Sequence, residues 1–204
     1  MGRFSDRFWA GLAAGYMRFV YATSKVTREG HTELLDGGDT FAVGLWHGDS
    51  FCYYPQLQNR GDVIVTTINK RGDVVAALGR KFGYNPIRLP DEHNPDVSLL
   101  NLRRMLADAG SQHICFSMDG PLGPYHIPSR FFLTAAYLAK KRIMPISVKV
   151  KRKIRLTRRW DKYMIPLPFS RITFTFHQPL EVKKDAFAAL TEQIITIMDG
   201  GPRD

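Results

Sequence analysis

The chain has 204 residues, 29 of them Lys or Arg and 19 Asp or Glu, for a formal net charge of +10. That length supports one domain with a sizeable core and is short for two, and the 44% apolar, 24% charged composition excludes a disordered basic tail. A folded surface with this excess of positive charge favours an anionic partner: nucleic acid, an acidic lipid surface, a phosphorylated substrate or an acidic carrier protein.

Two cysteines, Cys52 and Cys115, are too few for a disulfide framework and read as buried thiols in a reducing compartment. No stretch reaches the roughly 18 uninterrupted apolar residues of a spanning helix. The apolar run after Arg3, Asp6 and Arg7 is too short for a signal-peptide core. The expectation is a cytoplasmic protein, soluble or peripheral on the inner face of the cytoplasmic membrane.

In chain order, Phe4, Phe8, Leu12, Tyr16 and Phe19 recur at helical spacing, flanked by Arg3, Arg7 and Arg18. Such a stripe packs on the domain's own core or lies in a membrane interface with arginines at the headgroups. Residues 1–28 read as this amphipathic helix and its lead-in, and 29–204 as an α/β domain. Phe41–Trp46 and Val63–Thr67 are buried-strand patterns. Gly72-Asp73 opens a helix that stops at Gly83. Asn94-Pro95 opens another, carrying Leu99, Leu102, Met105 and Leu106 inward and ending at Gly110. His113–Ser117 is a strand, Met118–Pro128 a loop rich in Gly and Pro, and Arg130–Lys141 a helix. Ile143–Val150 and Arg171–Phe176 are strands, the latter alternating Ile172, Phe174 and Phe176 with Thr173 and Thr175, and Asp185–Met198 is a last helix. Strands separated by helices predict a single-domain αβα sandwich with a mixed, largely parallel sheet.

Active residues in such sheets gather just beyond the carboxyl ends of the strands. Two loops qualify: Trp46-His47-Gly48-Asp49-Ser50 and Ser117-Met118-Asp119-Gly120-Pro121-Leu122-Gly123-Pro124. A histidine with a carboxylate fixing its tautomer is a base near neutrality, and Asp49 and Asp119 are both possible orienters. The plainer alternatives are a strand-end histidine that packs and an ordinary Asp-Gly-Pro turn. Gly48 and Ser50 offer backbone donors at a helix start. Zinc-helix, paired-cysteine, dinucleotide, phosphate-loop and nucleophile-elbow patterns are all missing. His31, His93, His113, His126 and His177 do not cluster at ligand spacing, so no metal is expected.

On these loops the sequence resembles the glycerophospholipid acyltransferase superfamily, and more closely its short bacterial branch known as the domain of unknown function DUF374. Leu45-Trp46-His47 is similar to that branch's Trp-His block, and Gly83-Tyr84-Asn85-Pro86-Ile87-Arg88 to the second block, which ends in an arginine. Met118-Asp119-Gly120-Pro121-Leu122-Gly123-Pro124 resembles the branch's Asp-Gly-Pro-x-Gly-Pro, Ile143–Val148 its proline-containing strand, and Trp160–Ser170 its Trp-Asp-x-x-x-Ile-Pro-x-Pro-Phe-Ser signature. The resemblance implies acyl transfer from acyl-CoA or acyl carrier protein, as co-substrate with no bound cofactor, to a hydroxyl of a lysophospholipid-like or other lipid acceptor. His47 would be the general base, with Asp119 preferred over Asp49 as its orienting acid, because the position where superfamily enzymes carry an acid, five residues after the histidine, is Cys52. Arg88 would bind a phosphate on the acceptor and N–H groups near Gly120 the oxyanion. Further substrate contacts are expected from Pro121, Gly123, Arg71 and Ser50.

From Lys149 to Arg159 seven residues in eleven are basic. The stretch reads as a solvated edge strand, or, through Lys151, Arg152, Lys153 and Arg155, as a holder of anionic headgroups or an acyl carrier protein. It lacks the aromatic interleaving of a nucleic-acid surface. The rival reading of the whole chain is a catalytically inactive lipid- or protein-binding member of the fold.

Overall fold

The structure, a computed structural model, describes residues 2–89, 102–104, 106 and 109–199, with side chains in the first helix from Arg7 onward. Its helices are α1 (Gly2–Thr23), α2 (Tyr53–Gln56), α3 (Lys70–Lys81), α4 (Arg130–Leu138) and α5 (Phe187–Asp199). Its strands are β1 (Lys25–Gly30), β2 (Phe41–Leu45), β3 (Val63–Thr67), β4 (Asn85–Leu89), β5 (Ile114–Ser117), β6 (Arg142–Val150), β7 (Lys153–Arg155), β8 (Met164–Pro166) and β9 (Arg171–Phe176). Seven of these form one sheet in the order β1-β9-β6-β2-β5-β3-β4, in which only the β6–β9 pair is antiparallel. β7 and β8 make a separate antiparallel hairpin.

The central strands are apolar on both sides, as a sheet covered by helices requires. β2 is buried at all five positions. One face, with Phe41, Val43 and Leu45, packs with Phe82 of the α3 terminus and with Ala14 and Met17 of α1. The other, with Ala42 and Trp46, packs with Phe132 of α4 and Ile194 of α5. This is the αβα sandwich with a mixed, largely parallel sheet that the alternation of segments predicts.

Local chemistry shifts some boundaries. The Asn69 side chain accepts the Gly72 N–H at 2.8 Å, so α3 starts at Lys70 rather than Gly72. α4 ends at Leu138 rather than Lys141, and α5 starts at Phe187 after a 3₁₀ turn at Lys184–Ala186. The helix expected from Asn94 to Gly110 lies mostly outside the described residues; 102–104 and 106 are helical, with Leu102 and Leu106 buried. β1 and β4 hide from pattern reading for one reason. Both are edge strands, β1 with Lys25, Arg28 and Glu29 in its sequence and β4 with Pro86, residues that edges tolerate and interiors do not. The expected boundary after residue 28 falls inside β1, which pairs with β9 from Lys25 to Gly30.

α1 packs on the core with only part of its aromatic stripe: Tyr16 lies against Phe51, and the Phe4 side chain is outside the described residues. The buried face is Ala10, Ala14, Met17 and Val20, while Phe8, Trp9, Leu12 and Phe19 are 52–60% exposed. Small residues let the helix lie close on α3, which turns the large ones outward.

Candidate active site

Leu45 of β2 stands beside Ser117 of β5 in the parallel register, so the loops that follow leave the same sheet edge side by side. After β2 the chain winds into a 3₁₀ helix, His47–Cys52. Side chains at i and i+3 eclipse in that geometry. Trp46 and Asp49 therefore share one face, and His47 and Ser50 the next.

His47 Nδ1 lies 2.8 Å from Asp161 Oδ2. Asp161 belongs to the β7–β8 loop and is fully buried. It accepts from Arg159 Nε at 2.9 Å and Arg159 Nη2 at 2.7 Å, and from the Tyr163 N–H at 3.3 Å. Burial alone would raise its pKa; the hydrogen bonds from Arg159 and His47 outweigh it and hold the carboxyl below its usual value. Gly48 makes the approach possible, because a Cβ there would sit 2.2 Å from the Asp161 carbonyl oxygen. With Nδ1–H donating to Asp161, Nε2 of a neutral imidazole carries the free lone pair. It has no hydrogen bond among the described residues, and the side chain is 29% exposed. Trp160 and Tyr163 flank the ring, at centroid distances of 5.5 and 6.4 Å. Burial pushes the Tyr163 hydroxyl up to about 12, and Ser50 lies against it.

The imidazole therefore meets neither acid expected from the sequence. Asp119 is buried, and its Oδ1 accepts the backbone N–H of His47 at 2.7 Å while Oδ2 accepts that of His126 at 3.4 Å. It fixes the main chain of the histidine and not the ring, and burial raises its pKa. Asp49 lies on the other face of the 3₁₀ turn, its carboxyl raised to about 6 by burial. Cys52 points into the core, where its carbonyl accepts the Tyr21 hydroxyl.

The remaining expected substrate contacts separate. Arg88 donates through Nε to the Thr67 carbonyl at 3.0 Å, through Nη2 to the same carbonyl at 2.7 Å, and through Nη1 to Asp73 at 2.7 Å. The guanidinium thus ties β4 to the β3–α3 junction, which leaves it poorly placed for a phosphate. The Gly120 N–H donates to the Ser117 carbonyl at 3.2 Å and is not a free oxyanion donor. Gly123 packs its Cα against Trp160, since a Cβ would come within 2.7 Å of that ring. Pro121 and Arg71 are exposed. Lys151, Arg152 and Lys153 are exposed on the turn into β7, and half-buried Arg155 donates to the Lys162 carbonyl at 3.3 Å. The basic stretch thus runs from Lys149 at the end of β6 through β7 into the β7–β8 loop, and all of its basic residues but Lys149 lie outside the main sheet.

A second histidine–carboxylate pair escapes pattern reading altogether. His126 Nδ1 lies 2.9 and 3.0 Å from the two carboxylate oxygens of Asp199, which also accepts Trp46 Nε1–H at 3.2 Å. The His126 ring stacks on Trp46 at 4.5 Å and on Tyr125 at 3.9 Å. Among the described residues no group of three His, Cys, Asp or Glu could hold a metal ion, and no helix is long and apolar enough to cross a membrane.

No protein-family model matches the chain. It is 30% identical to the uncharacterized protein RP090 of Rickettsia prowazekii (strain Madrid E) over 178 residues, covering 83% of this chain and 79% of that protein. Among solved structures it is similar to the 1-acyl-sn-glycerophosphate (LPA) acyltransferase PlsC from Thermotoga maritima. The TM-score is 0.56 at 15% identity, over 96% of this chain and 79% of that one. The likeness to PlsC is one of fold.

Proposed function

We propose that this chain, which belongs to the same family as the Rickettsia prowazekii protein and has an acyltransferase-like fold, is an O-acyltransferase. It moves a fatty acyl group from acyl-CoA or acyl carrier protein to a hydroxyl of a lysophospholipid-like or other lipid acceptor. The observation that carries the reading is the 2.8 Å pairing of His47 Nδ1 with the buried Asp161 carboxylate. It presents Nε2 as a base at the end of β2, where such sheets hold their ligands.

In the reaction, Nε2 takes the proton of the acceptor hydroxyl as its oxygen attacks the thioester carbonyl carbon. The tetrahedral intermediate then collapses, the C–S bond breaks, and the imidazolium returns the proton to the departing thiolate. Asp161 keeps the proton of neutral His47 on Nδ1 and stabilises the imidazolium that forms, as the carboxylate does in hydrolase triads. Purified protein given acyl-CoA or acyl-acyl carrier protein and a panel of lysophospholipids should release free thiol. The reading falls if wild type and His47→Ala release it equally.

The acceptor and the exposed apolar residues point to an anionic membrane surface, on the cytoplasmic side. Phe169, 67% exposed, donates its N–H to Thr23 Oγ1 at 3.4 Å and so extends the outward face of α1. The exposed Lys151, Arg152 and Lys153 supply charge, each worth roughly 1 kcal/mol near an anionic surface. An aromatic side chain leaving water contributes about 1.5–3 kcal/mol, so Trp9→Ser should weaken partition onto phosphatidylserine-containing vesicles by roughly tenfold or more. Co-sedimentation that is unchanged in Trp9→Ser and Phe19→Ser would remove α1 from the membrane face.

A further inference from the structure

The face of the 3₁₀ turn next to His47 opens on a groove of about 290 Å³, whose walls include Trp46, Asp49, His126, Lys149, Arg155 and Asp199. Asp49 is the anomaly there. Its side chain is more than nine-tenths buried, yet its carboxylate has no hydrogen-bond partner among the described residues. Its oxygens are not sealed in but open onto the groove, so their acceptor sites are available to a donor seated there. The two cations on the wall, Lys149 at the end of β6 and Arg155 at the end of β7, stand within electrostatic reach of an anion in the groove, and Arg155 is close enough to act on Asp49. Arg88 is engaged with Thr67 and Asp73, so an anionic group on the acceptor needs another site.

We propose that this groove holds the headgroup of the acceptor, with its anionic group on Lys149 and Arg155 and a non-reacting hydroxyl donating to Asp49. The choice of ligand class rests on the acyl-transfer reading. The placement follows from the chain itself: Trp46 and Asp49 flank His47 on one turn, and Arg155 and Asp161 lie on one hairpin. A headgroup seated there is held by the same two segments that build the base and its orienting acid. Trp46 and Tyr125 give the groove apolar walls, which strengthens each polar contact inside it.

Calorimetric titration with two probes, glycerol 3-phosphate and inorganic phosphate, tests this without turnover. Wild type and His47→Ala should both bind glycerol 3-phosphate more tightly than phosphate. Arg155→Gln should weaken both probes by about tenfold, the loss of one charge-assisted contact. Asp49→Asn should instead collapse the preference for glycerol 3-phosphate, by about tenfold, because only that probe has carbon hydroxyls that can reach the carboxylate while its phosphate sits on Lys149 and Arg155. Arg88→Gln should keep the preference, with melting curves confirming that each variant is folded. The assignment is overturned if folded wild type binds neither probe, if Asp49→Asn keeps the preference, or if Arg88→Gln removes binding while Arg155→Gln does not. Headgroup binding without thiol release would instead sink the acyl-transfer reading and leave the groove standing.

Discussion

Besides an exposed His31–Glu33 contact at 3.6 Å, the described residues hold two close histidine–carboxylate pairs, and these are built differently. His47 meets one oxygen of Asp161, keeps 29% of its side chain exposed, and has an Arg159 fork locking its partner from behind. His126 faces both oxygens of Asp199 with 11% exposure, sandwiched between Trp46 and Tyr125, and Trp46 donates to the same carboxylate. The functional groups are the same. In the first pair the imidazole keeps an open edge, with Nε2 unbonded among the described residues, in front of a carboxylate locked by the Arg159 fork. In the second the rings enclose the histidine, which makes the pair part of a wall. Reactivity here follows from what surrounds a pair and not from the pair.

The largest effect should separate the two. His47→Ala should lower kcat for thiol release by about 10²–10⁴-fold, the usual contribution of a general base. His126→Phe keeps the stack on Trp46 but leaves Asp199 without one of its partners. It should lower stability by about 1–3 kcal/mol, raise KM through the groove, and change kcat little. Equal losses of kcat would erase the distinction between the pairs.

Asp161→Asn comes next, with an expected loss of about 10²–10³-fold in kcat, because an amide neither fixes the tautomer nor stabilises the imidazolium. Its stability signature has a definite sign. The folded pKa of Asp161 lies below the usual carboxylate value, so its contribution is present above the unfolded pKa and is lost as pH falls through the folded one. Acid unfolding followed by circular dichroism should therefore show a low-pH loss in wild type that Asp161→Asn lacks.

Asp49 has the opposite sign. Its carboxyl is raised by burial to about 6, so the native state binds the proton more tightly than the unfolded chain between about pH 4 and 6, and stability falls as pH rises across that window. Asp49→Asn should stabilise the protein at pH 7, by on the order of 3 kcal/mol at most, with the difference vanishing below about pH 4. A melting temperature at pH 7 that drops instead would mean that Asp49 is bonded and not strained. A residue whose removal stabilises the fold while spoiling headgroup binding is one kept for function.

Much of this is legible in the sequence. Phe41–Trp46 and Val63–Thr67 are apolar without interruption because helices cover both faces, and such runs identify buried parallel strands. The edge strands did not show, since β1 and β4 are legible as strands only through their neighbours β9 and β3. His47 stood out at a strand end. Its acid did not, because Asp161 is 114 residues away and reaches the ring by a tertiary contact that no local spacing encodes. The one available signal was Asp161's place in the Trp-Asp block from Trp160 to Ser170. α1 shows the limit of periodicity in another way: the stripe is real, but a helix with apolar residues all round leaves packing to decide which face is buried, and the small residues Ala10 and Ala14 won.

The smallest effect tests how firmly the carboxylate is held. Arg159 is 50% exposed on its side chain but Asp161 is fully buried, so removing the guanidinium should cost about 1–3 kcal/mol, more than an exposed pair is worth. Arg159→Gln should then lower kcat only about two- to fivefold, since Gly48 still lets the Asp161 main chain approach and the Tyr163 N–H still holds Oδ1. The informative reading is the acid limb of stability rather than the rate. Without the guanidinium, burial acts on Asp161 with less opposition, its folded pKa rises, and the low-pH loss should begin at higher pH than in wild type. An unchanged acid limb would mean that His47 alone sets the charge state of Asp161, and the contrast between the two pairs would then rest on exposure alone.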